Sequence, residues 1–238
     1  MRSTSRKRNR AFTLVELLVV IGIIAVLIAI LLPVLNKVKE QANRVKCASN
    51  LRQLGVSTMM YLDENKQFYP FPGVNTRDED WIYWEPSRDK NKGRLVKYQG
   101  KFFNEKLYRC PSDPEWGHRS YQFSYSINYR LGWVDGGIPA VKLPRVIRPA
   151  DKICFIDESS ATVDDGAWAP DHYFNPNDMH NLLSNRHDKT NETQKNPKLG
   201  RGCVIYCDGH FEYCERWKSF DPYYNDPLYA GPIVNGAY

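Results

Sequence analysis

An uninterrupted apolar block at residues 12–32 is the feature that most restricts how this chain can fold. Sixteen of its 21 positions are Phe, Leu, Val or Ile. At a helical rise of 1.5 Å per residue the block would span about 31 Å, close to the hydrocarbon thickness of a bilayer. The block therefore predicts a single membrane-spanning helix.

The charge around this block is asymmetric. Residues 1–11 carry five basic groups and no acid, and they account for most of the net charge of +6. The rest of the chain has 28 basic and 27 acidic residues, so it lacks the basic excess of a nucleic-acid-binding surface. Basic residues before a membrane helix favour a cytoplasmic N-terminus. We therefore expect an exported C-terminal part and no nucleic-acid partner.

Two other interpretations of the apolar block are less consistent with its length. A secretory signal peptide has an apolar core of about 7–15 residues followed by a small-residue cleavage site, whereas this block is longer and runs on through Pro33 into a helical pattern. A buried helix of a soluble protein is disfavoured by 21 continuous residues beside a basic flank.

The start of the block resembles the class III signal of type IV prepilins and type II secretion pseudopilins, in the sequence Arg10-Ala11-Phe12-Thr13-Leu14-Val15-Glu16. In that family a prepilin peptidase cuts before the Phe and N-methylates it, and the apolar segment stays in the product. The resemblance implies cleavage between Ala11 and Phe12, and residues 1–11 would be the leader. The family usually has Gly where this chain has Ala11.

Glu16 is the one acid in the apolar block. By the resemblance it would be the fifth mature residue, where the family has an acid. A carboxylate in an apolar helix needs a cationic partner, and the freed amino terminus of a neighbouring subunit can supply it. Such a pair would set the register between stacked subunits. The alternative is a tolerated acid near the membrane interface.

The helical pattern continues beyond Pro33 but becomes amphipathic. Apolar positions recur every three or four residues at Val34, Val38, Ala42, Val45, Ala48, Leu51, Leu54, Thr58 and Leu62. This spacing predicts one helix over residues 12–63, kinked at Pro33. Residues 12–35 would form the transmembrane and assembly segment, and residues 36–63 would pack on a sheet.

Residues 66–238 are expected to complete an exported head of loops and antiparallel strands, so that the head spans residues 36–238. Its strongest hairpin runs from Val204 to Tyr213, because Asp208-Gly209 is typical of a two-residue type I′ turn. With that turn, the apolar residues that face the long helix are Val204, Tyr206, Phe211 and Tyr213. The predicted fold is α+β and type IV pilin-like: a long N-terminal helix on a small antiparallel sheet with loop-rich insertions.

Three segments of the head extend the resemblance: Cys47-Ala-Ser-Asn50, Cys110-Pro-Ser-Asp113 and Asp208-Gly-His210. They are similar to a group of pseudopilin-like proteins, abundant in planctomycetes and verrucomicrobia, that resemble the major type II secretion pseudopilin. The group often has an Arg-His pair about nine residues before the Asp-Gly. Here twenty residues separate Arg186-His187 from Asp208, which indicates an enlarged loop.

The resemblance implies a structural subunit of a type II secretion pseudopilus or a type IV pilus-like filament, in the bacterial inner membrane with its head in the periplasm or outside the cell. Its partners would be the prepilin peptidase and N-methyltransferase, copies of itself or other pseudopilins, a secretion or pilus assembly platform, and membrane lipid.

Six cysteines in an exported head favour disulfides. The predicted hairpin register places Cys203 opposite Cys214, at a separation that a disulfide can span. Cys47 and Cys110 flank two of the resembling segments and could tie the long helix to the following loop. A zinc ion shared by the hairpin residues Cys203, Cys207, His210 and Cys214 is disfavoured. Cys203 and Cys207 would lie about 13 Å apart along a regular strand.

Metal binding elsewhere and catalysis have weaker support in the sequence. Asp157, Asp208, His187 and His210 are the candidate ligands, and calcium is one option, but no EF-hand loop is present and solvated loop acids are the simpler interpretation. Motifs for phosphate binding, zinc proteases and serine hydrolases are missing. We therefore expect no enzyme and no required cofactor.

Two alternative functions stay open at this stage. One is a membrane-tethered binding module that recognises glycans or surfaces through Trp81, Tyr83, Trp84 and Trp168. The other is a metal-dependent exported enzyme.

Overall fold

The computed structural model describes residues 14–74, 78, 80–100, 102–113, 123–132, 140–163, 165–169, 181–188 and 199–232. The predicted cleavage site at Ala11 and Phe12 lies outside these residues. The chain divides into two compact units, residues 1–41 and 42–238.

The long helix α1 spans Leu14–Glu64, in agreement with the predicted helix, and continues through Pro33. Among the described residues it is the helix that is long and apolar enough to cross a membrane. The mean hydropathy of its most apolar 18-residue window is 3.3, and none of that window is buried. An isolated helix can expose such a surface in lipid because its backbone hydrogen bonds are satisfied internally.

In the second unit, α1 buries one face. Its buried residues recur at helical spacing and are Cys47, Ala48, Asn50, Leu51, Leu54, Gly55, Ser57, Thr58, Tyr61 and Leu62. Burying each Leu stabilises the head by about 1.5–3 kcal/mol. The buried stripe begins only at Cys47, since Val45 of the predicted stripe remains 66% exposed.

The described residues form one five-stranded sheet in the order β3-β1-β2-β4-β5. The strands are β1 (Tyr125–Asn128), β2 (Ile153–Asp157), β3 (Ala167–Trp168), β4 (Arg201–Tyr206) and β5 (Phe211–Glu215). Neighbouring strands are antiparallel, except that β3 runs parallel to β1. The sheet is therefore mixed rather than wholly antiparallel, because the chain leaves β2 and crosses over to the far side of β1.

Short helical segments lie between α1 and β1, between β1 and β2, and after β5. Helical turns lie at Tyr129–Gly132 and Pro222–Asn225, and 3₁₀ helices at Lys90–Lys92, Val96–Tyr98, Glu105–Leu107, Leu143–Arg145, Pro149–Asp151 and Arg216–Phe220. The head is therefore rich in loops around its small sheet, as predicted.

The β4–β5 hairpin forms as predicted, but its predicted two-residue turn is wrong. A type I′ turn needs positive φ at both central residues, and within this turn only Gly209 has it, with φ of 89°. The amide of Tyr206 donates to the His210 carbonyl at 3.0 Å, and that of Gly209 to the Tyr206 carbonyl at 2.9 Å. The loop therefore has three residues, 207–209, and ends in a left-handed glycine.

This extra loop residue shifts the register by one and exchanges the faces of β4. Cys203 lies opposite Tyr213, and Gly202 opposite Cys214. Cys203 belongs to the hydrophobic cluster that contains residues of α1, and Cys214 to a second cluster. The proposed Cys203–Cys214 disulfide thus loses its cross-strand geometry.

The residues predicted to face the helix divide accordingly. Phe211 and Tyr213 pack against the cluster that includes α1, as expected. Val204 and Tyr206 belong instead to the second cluster, and Ile205 takes their place toward the helix.

Candidate functional site

Four chemically reactive side chains converge in the core of the head. Cys47 comes from α1, Cys110 from the loop after the 3₁₀ helix Glu105–Leu107, Asp157 from the end of β2, and His187 from the segment 181–188. Their potential ligand atoms all lie within 4.8 Å of one another. These residues form the candidate site, which we call the buried cluster.

The measured distances within the buried cluster are short. Cys110 Sγ lies 3.2 Å from His187 Nε2. Asp157 Oδ2 lies 3.7 Å from Cys47 Sγ and 3.7 Å from His187 Nε2. Cys47, Cys110 and Asp157 are at most 1% exposed, and the side chain of His187 is 1% exposed although the residue as a whole is half-buried. The side chains of the buried cluster are therefore shielded from solvent.

Asn50 holds the Cys110 loop against α1. Its side-chain amide donates to the carbonyls of Lys106 at 2.9 Å and Arg109 at 3.0 Å. The amide of Cys110 then donates to Ser124 Oγ at 3.0 Å. The backbone of the loop that carries Cys110 is therefore held by hydrogen bonds to α1 and to Ser124, the residue just before β1.

The segment 181–188 pairs with the end of β2 and thereby places His187. The amide of Ser184 donates to the Asp157 carbonyl at 2.7 Å, and that of Ser159 to the Leu182 carbonyl at 2.8 Å. Gly202 on β4 leaves room for this segment, because a Cβ there would lie 2.5 Å from Leu183 Cγ and would also contact the Ser184 carbonyl oxygen.

Replacing Gly202 by Ala should therefore destabilise the head by about 1–3 kcal/mol or more, since overpacking against backbone cannot be relieved by a rotamer change. The measurement is the urea midpoint of the full-length chain in detergent. Gly22→Ala is the control, because nothing lies within 4 Å of a Cβ at Gly22. An unchanged midpoint for Gly202→Ala would contradict the observed packing.

Arg186 is the cation beside the buried cluster. Its Nη1 lies 2.7 Å from Asp113 Oδ2 and 3.5 Å from Asp157 Oδ1. Its Nε donates to Ser184 Oγ at 2.7 Å, and its Nη2 donates to the Glu158 carbonyl. Asp113 also accepts from Ser124 Oγ at 2.7 Å. Arg186 therefore joins the loops that carry Cys110 and His187.

Burial dominates the electrostatics of this region. It raises the pKa of the Asp157 carboxyl, although the charges of Arg186 and His187 act in the opposite direction. It also raises the pKa of the Cys47 and Cys110 thiols, which are therefore neutral at pH 7. For Arg186, burial lowers the pKa, but the carboxylates of Asp157 and Asp113 outweigh it and the net shift is upward.

The four metal candidates from the sequence lie in two places. Asp157 and His187 belong to the buried cluster. Asp208 and His210 lie at the exposed turn of the hairpin, where His210 Nδ1 is 2.6 Å from Asp208 Oδ1. Cys47 and Cys110, considered as a disulfide pair, also meet in the buried cluster.

All six cysteines lie in the described part of the chain and are free thiols there. The Cys203 thiol lies near that of Cys47 and adds to the raised pKa that burial gives Cys47. Burial raises the pKa of the Cys154 thiol, and the nearby thiol of Cys207 raises it further; sequence spacing did not suggest that these two cysteines are neighbours.

The aromatic residues considered for ligand binding are core residues. Trp81 and Trp168 are fully buried, Tyr83 is 6% exposed, and Trp84 is half-buried with its indole nitrogen donating to the Gly73 carbonyl at 2.7 Å. This packing gives no support to an exposed aromatic binding surface.

Sequence reasoning did not identify the roles of Asn50, Asp113 and Arg186. All three lie inside or beside the segments that carried the resemblance, and that position was a usable signal. Ser124 had no comparable signal, because it lies in a short strand-like segment in which aromatic and small polar residues alternate.

Glu16 lies in the first turn of α1 and is exposed. The residues on both sides of it in the sequence are the apolar residues of the membrane-spanning segment. In lipid, a carboxylate at this position needs a cationic group close to it.

A family model described as the prokaryotic N-terminal methylation motif matches residues 6–32. No curated protein and no solved structure matches the chain. The motif suggests a structural, pilin-like protein rather than an enzyme, one that is processed by a prepilin peptidase and assembles with pilin-like subunits. Together with the exposed apolar helix near the N-terminus, it fits a membrane-anchored, single-pass protein that carries a prepilin-type methylation motif on an α+β, pilin-like fold.

Proposed function

We propose that this chain is a structural subunit of a type II secretion pseudopilus or a type IV pilus-like filament in a bacterial inner membrane. The observation that carries the proposal is the methylation motif at residues 6–32, located where α1 exposes its whole apolar surface. A surface of this kind is stable in lipid or against the same segment of other subunits.

In this proposal the N-terminus lies in the cytoplasm and the head is exported. The prepilin peptidase removes residues 1–11 and methylates Phe12. The assembly platform then packs residues 12–35 of many subunits side by side, while the heads face outward. The carboxylate of Glu16 pairs with the positively charged amino terminus of a neighbouring subunit.

We also assign the chain to the pseudopilin-like group with Cys-Pro and Asp-Gly-His segments. Its support is that residues of three separate segments, Cys47, Cys110 and His187, meet at one buried place. Such convergence gives a structural reason for the shared residues, since together they hold the loops of the head on α1.

Mass spectrometry of the mature N-terminus tests the proposal most directly. The expected product begins at Phe12, carries one methyl group on its amino nitrogen and retains residues 13–33. Ala11→Gly should be processed at least as completely, because Gly is the usual residue of the family at this place. A product that begins beyond residue 33, or one that keeps Met1 when the peptidase is present, would contradict it.

A further inference from the structure

The side chains of the buried cluster have the donor types that Zn²⁺ prefers: two cysteine sulfurs, one imidazole nitrogen and one carboxylate oxygen. Bonds of 2.0–2.3 Å at tetrahedral angles separate ligand atoms by about 3.3–3.8 Å. The Asp157–Cys47 and Asp157–His187 separations, both 3.7 Å, lie in this range, the Cys110–His187 separation of 3.2 Å lies just below it, and the remaining pairs are within 4.8 Å. We propose that Cys47, Cys110, Asp157 and His187 bind one Zn²⁺ ion.

The site would be structural rather than catalytic. Catalytic zinc sites keep an open position for water or substrate, whereas structural sites have four protein ligands. Here four ligands are available and each side chain is at most 1% exposed. Because each ligand comes from a different part of the chain, the ion would cross-link α1, β2 and two loops.

Asp157 is oriented for this role by Arg186. Its Oδ2 faces the sulfur of Cys47 and the ring of His187, while its Oδ1 faces Arg186 Nη1 at 3.5 Å. Two thiolates and one carboxylate around Zn²⁺ leave one net negative charge, and it adjoins the positive charge of Arg186, which Asp113 shares at 2.7 Å. Outer hydrogen bonds and charges of this kind commonly orient metal ligands.

Binding would release protons. Zn²⁺ binds cysteine as the thiolate, so forming two zinc–sulfur bonds displaces two thiol protons to solvent. The affinity for Zn²⁺ should therefore increase with pH.

A Cys47–Cys110 disulfide is the competing use of the same sulfur atoms. It would account for the two cysteines but not for the imidazole and the carboxylate that meet them. The two states exclude each other, because a disulfide leaves neither sulfur as a thiolate ligand. Measuring metal and disulfide content in one sample therefore decides between them.

The experiment uses the full-length chain without an affinity tag, purified in detergent from cells grown with zinc. Metal analysis should find about one zinc ion per chain, and non-reducing mass mapping should find no Cys47–Cys110 link. Substitution with Co²⁺ should give a thiolate-to-metal charge-transfer absorption. A mapped Cys47–Cys110 disulfide, or a reduced and folded chain that takes up no zinc, would overturn the proposal.

Substitutions distinguish zinc bound by the buried cluster from zinc bound at the protein surface. Cys110→Ser and His187→Gln should lower the zinc content to background. Cys214→Ser should keep the full amount, because its thiol is equally buried but lies in the second hydrophobic cluster. Full zinc content in both Cys110→Ser and His187→Gln would refute the assignment. This outcome is independent of the filament proposal, which depends on residues 6–35.

Discussion

Glu16→Ala should leave the chain in the membrane and the head folded, but should remove the protein from filaments. Sixteen strongly apolar residues of the block make insertion favourable, and losing a carboxylate makes it more so. In the filament, however, the neighbour's amino terminus would lose its partner in an apolar environment. Leaving one member of a buried ion pair alone costs about 3–5 kcal/mol, more than a hundredfold in association constant.

The measurement is the fraction of subunit in sheared, pelleted filaments relative to the membrane fraction. Glu16→Gln keeps the shape and removes the charge, so it should fail as Glu16→Ala does. Glu40→Ala is the matched control, since it removes the same group from the same helix outside the apolar block. Wild-type incorporation of Glu16→Ala would show that the acid has no part in assembly.

The long helix was predictable because its signals are local. A 21-residue block that is mostly apolar, followed by an apolar stripe at helical spacing, indicates both halves of α1 without any knowledge of the rest. The point where burial starts was not predictable, because Val45 and Leu51 fit the stripe equally well. Which part of the stripe is buried depends on the loops of the head, and these cover Cys47 and the residues that follow it.

The hairpin shows where local signals stop being sufficient. Asp208-Gly209 correctly indicated a turn. However, Gly can take a positive φ in a two-residue loop and in a three-residue loop. The structure takes the longer loop, with Gly209 at φ of 89°. With this loop, Ile205 lies beside Gly55 of α1, and its Cγ2 would be 3.1 Å from a Cβ built on Gly55. Long-range packing thus sets a register that the turn sequence leaves open.

The buried cluster was only partly predictable, since its members are up to 140 positions apart in the sequence. Cys47 and Cys110 were noted as disulfide candidates, and Asp157 and His187 as candidate metal ligands. None of Cys110, Arg186 and His187 lies on a strand or on α1. Periodicity therefore says nothing about where their side chains point, and their meeting depends on irregular loops held by Asn50 and Arg186.

Arg186→Met should destabilise the head by about 3–5 kcal/mol, the largest effect expected from one substitution outside the membrane segment. Met has a similar length but would leave the carboxylates of Asp113 and Asp157 buried without their cation, at 6% and 0% side-chain exposure. The measurement is the free energy of unfolding of the full-length chain in detergent, from urea titrations at a fixed zinc level. Arg201→Met is the control, because the Arg201–Glu215 pair at 3.9 Å is at least half exposed and should contribute at most about 1 kcal/mol.

Arg186→Lys and a double substitution show whether charge or packing causes the loss. Lys keeps the charge but cannot reproduce the guanidinium contacts to Asp113, Ser184 and Glu158, so it should recover only part of the stability. Asp113→Asn combined with Arg186→Met should be less destabilising than the sum of the two single changes, by about 0.5–3 kcal/mol. Strict additivity would mean that Arg186 does not stabilise the head through its ion pair with Asp113. In that case the ion pair at 2.7 Å would contribute nothing to holding the Cys110 and His187 loops together.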